Sequence, residues 1–230
     1  MTTRVALIHA VAVAIEPVQQ AFRQLWSEAE CVNILDESLS IDRERDGVLT
    51  AAMRSRIATL AEYGAATGAA GVLFTCSAFG EAIEAAAARS PIPVLKPNEA
   101  MFEAALQLGQ RIGMLATFMP SVASMEEEFR EIADAKGKRA VIQTYCVPGA
   151  MAALKAGRGA EHDRLIAEAA PRVGDCDVVL LAHFSTARAA AAVTAALNRP
   201  VLTSPGSAVA KLKAMISDSW QRADPLSRKS

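Results

Sequence analysis

Short apolar runs alternate with longer helix-spaced patterns along the whole chain. Arg4–His9, Cys31–Leu35, Gly71–Thr75, Pro93–Lys96, Arg111–Ala116, Ala140–Thr144, Val178–Ala182 and Pro200–Thr203 are each four to six residues of near-continuous aliphatic character. Runs apolar at consecutive rather than alternate positions predict strands buried on both faces of a parallel sheet. Between them, Leu49, Met53, Ile57, Leu60 and Gly64 recur at three- or four-residue steps until Gly68 and Gly71 break the pattern. Met101, Ala105 and Leu108 do the same before Gly109, and Leu165, Ala169 and Val173 before Gly174. Both are the spacing of an amphipathic helix closed by glycine. Regular β-α alternation places the chain in the α/β class. At 230 residues it is lean for an eight-stranded barrel, which takes about 250, and the runs divide differently.

The division is a repeat. Gly71-Val-Leu-Phe-Thr-Cys-Ser-Ala-Phe-Gly80 and Asp177-Val-Val-Leu-Leu-Ala-His-Phe-Ser-Thr186 are both apolar strands that end in a small polar cluster and lead into an Ala-rich helix. A Pro-led strand follows each, Ile92-Pro-Val-Leu-Lys96 and Arg199-Pro-Val-Leu-Thr203, at a separation of about 106 residues. That period is too long for a solenoid unit and fits two similar lobes.

Composition removes several classes. Lys and Arg number 24 against 25 Asp and Glu, for a net charge of −1, without the cationic excess that phosphate neutralisation demands, so no nucleic-acid partner is expected. The pairs Arg43/Arg45 and Arg54/Arg56 alternate with acids or apolar residues and read as solvated helix faces. No apolar run approaches the ~20 residues of a membrane span, and Val5–Ile8 is too short for a signal sequence, so the expected partner set excludes the membrane. Cys31, Cys76, Cys146 and Cys176 are dispersed, with neither Cys-x-x-Cys nor Cys/His zinc spacing, which reads as free thiols in a reducing cytoplasm. No glycine-rich phosphate loop or dinucleotide fingerprint is present, and three scattered histidines give no metal pattern.

Ligands of parallel α/β sheets bind at the carboxyl ends of strands. The repeated strand ends carry Thr75-Cys76-Ser77 and Ala182-His183-Phe184-Ser185. If the lobes face each other about a pseudo-dyad, Cys76 and the Ala182/His183 position meet across one cleft. A thiol and an imidazole there can move a proton between opposite faces of a carbon. Helix N-termini after both strands are expected to aim N–H groups at an anion and to lower the Cys76 pKa.

The strand-Thr-Cys-Ser segment, the helix start Asn98-Glu99-Ala100, the strand Arg111–Ala116 ending in Thr117, and the twin repeat together resemble the Asp/Glu/hydantoin racemase superfamily, from Arg4 to about Ile216. That superfamily comprises cofactor-independent amino-acid and hydantoin racemases, arylmalonate decarboxylases and maleate isomerases. The resemblance implies two Rossmann-like lobes, 1–97 plus 204–230 carrying Cys76 and 98–203 carrying His183, with the site in the inter-lobe cleft. It also implies a homo-oligomer and a site needing neither metal nor pyridoxal phosphate. The chain departs from the family pattern at the second strand end, where racemases carry a second cysteine. Here that position falls at Ala182 or His183, and Cys176 precedes the strand. Single-cysteine decarboxylases keep their thiol in the later lobe, whereas this one lies in the earlier.

The expected catalytic residues are therefore Cys76 and His183, whose imidazole titrates near neutrality. His9, Thr75, Ser77 and Thr117 are expected substrate contacts, with Asn98, Ser185 and Thr186 on the second approach. The hydroxyls among them have an alternative as helix caps. Cys31, Cys146, Cys176 and His162 read as structural. Asp36-Glu37-Ser38 is a candidate specificity loop, Pro148–Gly157 a mobile cover or short helix, and Ser217–Ser230, with Trp220, a loosely held tail. The expected function is isomerisation or racemisation of a small carboxylate or cyclic amide, with His183 as second base. Decarboxylation through an enolate reprotonated by Cys76, thioester hydrolysis, and anion binding without turnover are the alternatives.

Overall fold

The computed structural model describes residues 2–223, with side chains through residue 219. Among the described residues, eight strands form two four-stranded sheets in which every pairing is parallel. The chain divides into two compact units, Met1–Lys96 with Ala208–Ser230, and Pro97–Ser207.

In the first unit β1 (Arg4–His9), β2 (Glu30–Leu35), β3 (Gly71–Phe74) and β4 (Val94–Leu95) lie in the order β2-β1-β3-β4. β1 is buried from Val5 onward and β3 throughout, whereas β2, at the edge, is half open. This explains why the inner strands carry unbroken apolar runs while β2 admits Glu30 and Asn33. Helices α1 (Ile15–Leu25), α2 (Ser38–Asp46), α3 (Ala51–Ala66) and α4 (Gly80–Ala87) connect them. Met53, Ile57 and Ala61 of α3 and Ala82, Ile83 and Ala86 of α4 pack with Ala6, Ile8, Val72 and Phe74 on one face. Thr50 starts α3 by accepting the Met53 N–H at 3.3 Å. The other end of β3 meets α10 (Ser204–Ala223) closely: a Cβ on Gly71 would lie 2.9 Å from both Leu212 and Ile216 side chains.

In the second unit β5 (Arg111–Ala116), β6 (Val141–Cys146), β7 (Val178–Leu181) and β8 (Val201–Thr203) take the order β6-β5-β7-β8, the same pattern as the first sheet. They are linked by α5 (Glu99–Leu108), α6 (Val122–Ala135), α7 (Ala150–Lys155), α8 (Gly159–Ala169) and α9 (Ala190–Ala196). Phe102 and Phe129, from α5 and α6, meet edge to face at 5.6 Å over one side of the sheet. Ile166, Ala189 and Val193 cover the other.

All eight expected strands are present, each within two residues of its expected ends. The tail differs: Ser217 to Ala223 continue α10 rather than hanging loose, and the rest of Ser217–Ser230, with the Trp220 side chain, lies outside the described residues. Of the two readings of Pro148–Gly157, mobile cover or short helix, the segment forms the short helix α7, whose Ala150 and Ala153 are buried. Among the described residues no helix is long and apolar enough to cross a membrane.

Candidate functional site

Cys76 lies two residues beyond the last ladder pair of β3 (Ile8↔Phe74), in extended conformation at φ −119° and ψ 122°. A 3₁₀ turn, Ser77–Phe79, separates it from α4, so the thiol meets individual N–H groups rather than a helix N-terminus. The Ala78 N–H is directed at its sulfur, and Arg43 of α2 lies near enough to act on it through its charge. These two favour the thiolate, but apolar packing around the sulfur outweighs them and pushes the thiol pKa up from its usual value. The sequence-based expectation of a lowered pKa is therefore overturned by desolvation.

Arg43 is half-buried and uses Nε to hold the Ala78 carbonyl at 3.4 Å. It has no carboxylate partner among the described residues. Its neighbour Arg56 is engaged differently, pairing with Asp42 at 2.6 Å and Asp36 at 2.7 Å. Asp36 also accepts the Ser38 backbone N–H at 3.1 Å, so the expected specificity loop is a braced corner. Neither arginine is simply a solvated face. Sequence reasoning missed Arg43 because helix periodicity shows which face is polar, not which strand end it overlooks.

His9, the last residue of β1, is fully buried. Its Nδ1 lies 2.9 Å from Thr75 Oγ1 and its Nε2 lies 3.0 Å from Asn33 Oδ1. With both ring nitrogens occupied, His9 braces three strand ends. Burial lowers its pKa against the opposing bond to Asn33, so it is neutral near pH 7. Ser77 opens the 3₁₀ turn and is partly exposed. The carboxyl edge of the first sheet thus gathers His9, Thr75, Cys76 and Ser77.

The second sheet gathers the other candidates at its own carboxyl edge. Thr117, directly after β5, is buried, and its hydroxyl has no hydrogen-bond partner among the described residues. Asn98 is buried before α5, where its amide reaches Glu128 at 3.3 Å and its Oδ1 accepts the Ser204 hydroxyl at 3.2 Å. Thr186 is turned inward and donates to backbone carbonyls of Ala182 and His183. Ser185 is buried beside it. Asn98 and Thr186 are thereby occupied in bracing the second unit.

His183 follows β7 at φ 71° and ψ 149°, the only non-glycine with positive φ among the described residues. Such a conformation costs roughly 1–3 kcal/mol and clusters at functional sites. The residue is half-buried, and desolvation alone lowers its pKa to about 4. Ser121, another residue that sequence reasoning did not single out, lies 3.3 Å from its Nε2.

The hydrogen-bond register decides between Ala182 and His183 as the counterpart of Cys76. The Thr75 N–H donates to Ile8 and the Ala182 N–H to Leu115, one step beyond the last pairs Ile8↔Phe74 and Leu115↔Leu181. Ala182 therefore corresponds to Thr75, and His183 to Cys76. His162 is buried in α8, bonded through Nδ1 to Asp163 at 2.7 Å. Among the described residues no group of three or more His, Cys, Asp and Glu is placed to hold a metal ion.

The sequence profile described as Asp/Glu/Hydantoin racemase matches residues 10–133. None of the curated proteins matches the chain. Among solved structures, glutamate racemase from Bacillus anthracis superposes with a TM-score of 0.70 at 12% identity, covering 94% of this chain and 82% of its own. Picrophilus torridus aspartate racemase gives 0.68 at 13% identity, covering 94% of each. Allantoin racemase from Klebsiella pneumoniae gives 0.66 at 17% identity, covering 94% and 89%.

Proposed function

The chain belongs to the Asp/Glu/hydantoin racemase family, and from that premise we propose that it is a cofactor-independent racemase or isomerase acting on the carbon next to a carboxylate or cyclic amide carbonyl. Cys76 and His183 are its two proton-transfer groups. The observation that carries the reading is their identical register in two sheets of identical order.

At neutral pH the raised thiol is protonated and the lowered imidazole is not. His183 then accepts the proton bound to the carbon, and the C–H electron pair moves into the adjacent carbonyl as an enolate. The Cys76 Sγ–H bond breaks as its proton joins the opposite face of that carbon, leaving thiolate and imidazolium. Proton exchange with solvent restores the resting pair. Arg43, with no carboxylate partner among the described residues, supplies positive charge beside the thiol for a substrate anion. The unpartnered Thr117 hydroxyl supplies a donor at the other edge.

The protonated thiol also favours a second reading, decarboxylation, in which loss of CO₂ leaves the enolate and Cys76 alone reprotonates it. Incubation with aspartate, glutamate, allantoin and 5-substituted hydantoins in D₂O, and with an arylmalonate, separates the two. Racemisation places deuterium at the α-carbon of recovered substrate, whereas decarboxylation places it in a product lacking one carboxylate. Deuteration that survives Cys76→Ala removes the role of the thiol, and racemisation that survives His183→Gln removes the two-base scheme. An inert Cys76 whose thiol pKa lies near the free value points instead to an anion binder.

A further inference from the structure

The loop between β5 and α6 determines where the proton sits on His183. Ser121 Oγ donates to the Phe118 carbonyl at 2.9 Å, which commits the single proton a hydroxyl owns. The same oxygen lies 3.3 Å from His183 Nε2, and the bond left to it there is one that it accepts. A neutral imidazole has one N–H and one lone pair. We propose that Ser121 is a positioning residue that holds His183 as the Nε2–H tautomer, so that Nδ1 is the nitrogen that takes the substrate proton.

Three further features fit this assignment. Nδ1 has no hydrogen-bond partner among the described residues, so its lone pair is uncommitted. Desolvation keeps the ring neutral near pH 7, so the tautomer, not the charge state, decides which nitrogen is basic. The backbone that aims the ring is pinned on its far side. Thr186 Oγ1 donates to the His183 carbonyl at 2.8 Å, and Arg188 Nε holds both oxygens of Asp163 at 2.9 and 3.0 Å. Ser121 thus sets the nitrogens of a ring whose backbone carbonyl is held by Thr186.

The inference rests on the reading of His183 as the base, so the experiment has one arm that needs no turnover. Long-range ¹H–¹⁵N spectra of uniformly ¹⁵N-labelled protein at pH 7.5, with His183 assigned by its loss in His183→Gln, are expected to show a protonated Nε2 and a bare Nδ1. Ser121→Ala is expected to populate the Nδ1–H form and to lower kcat for α-proton exchange by about tenfold, with KM unchanged. That is short of the roughly 10²- to 10⁴-fold carried by a general base itself. Ser121→Thr, which keeps the hydroxyl, is expected to preserve both tautomer and rate. A bare Nε2 in the wild-type spectrum overturns the proposal, as does a Ser121→Ala protein with unchanged spectrum and unchanged kcat. Turnover that persists in His183→Gln, beside the expected wild-type spectrum, removes the base reading itself and so is told apart from failure of the tautomer.

Discussion

The Thr75 hydroxyl donates to Nδ1 of His9 across 2.9 Å at the carboxyl edge of the first sheet. The direction follows from the far side of the ring, where Asn33 Oδ1, an acceptor only, takes the Nε2 proton at 3.0 Å. The corresponding positions of the second sheet are Thr144, Ala116 and Ala182. There no ring is available, and the Thr144 hydroxyl is left buried without a partner among the described residues. Two sheets of one order and one register thus differ in this network, so the fold does not require it. It belongs to the edge that carries Cys76.

This network sets a first expectation. Thr75→Val leaves a buried ring nitrogen unpaired, and His9→Phe leaves the buried Thr75 hydroxyl only its long contact to the Ile8 carbonyl at 3.4 Å. Each is expected to cost about 1–3 kcal/mol in urea unfolding, the range for a stranded buried polar group. The double variant strands neither, so its loss should fall clearly below the sum. Additive losses would mean the two side chains do not act on each other.

Cys76 should react as a half-buried, desolvated thiol with a cationic neighbour. Because burial holds its pKa above the usual value, alkylation mapped by peptide mass spectrometry is expected to be slow at pH 7 and to rise at higher pH than for free cysteine. Arg43 favours the thiolate, so Arg43→Ala should move the profile further up. The same change should raise KM for an anionic substrate by about 10- to 100-fold, the equivalent of one charge-assisted hydrogen bond. A profile that moves down in Arg43→Ala would contradict the placement of its charge.

The fold was legible because burial on both faces writes a strand as consecutive apolar residues. Arg4–His9 and Arg111–Ala116 were readable to the residue, and the Pro-led strands revealed the repeat. The environment of each strand end was less legible. Thr-Cys-Ser marks a turn rich in small polar groups, yet the sign of the Cys76 shift depends on Ile8, Phe74 and other apolar side chains packed from distant segments. Similarly, the sequence repeat left Ala182 and His183 as alternatives, and only the ladder hydrogen bonds show that His183 holds in its sheet the register position that Cys76 holds in the other. Arg43 and Ser121 act through loops whose course no periodicity records.

Acid should weaken the fold in a window set by histidine. His183 has a folded pKa of about 4 against an ordinary 6.5, and the His9 pKa is lowered too. Between those values the unfolded chain binds a proton that the folded chain refuses. The stabilisation is therefore full above pH 6.5 and is lost as pH falls toward 4, by up to about 3 kcal/mol for His183. The aspartates with lowered pKa, such as Asp177 at about 2, act below this window. Urea unfolding at pH 7.5 and 4.5 should show the difference, and His183→Gln should reduce it. A difference that is unaltered in His183→Gln would place the titration elsewhere.

Gly113 tests how closely the second sheet is covered. It lies within β5 between its partners on β6 and β7, opposite Gln143 and Val179. A Cβ there would come within 2.7 Å of Val173 Cγ2 and 2.9 Å of Cys176 Sγ, well inside van der Waals contact. Val173 and Cys176 are both buried, so neither can swing into solvent, and Cys176 is held further by Arg199 Nη1 at 3.4 Å. Gly113→Ala is therefore expected to destabilise the protein by about 1–3 kcal/mol, as overpacking of a dense core does. Cys176→Ala in the same chain removes one of the two obstacles and should recover part of that loss, which also assigns Cys176 a packing role. Equal stability of Gly113→Ala and wild type in urea would show that the strand and its covering turn are not in the contact described.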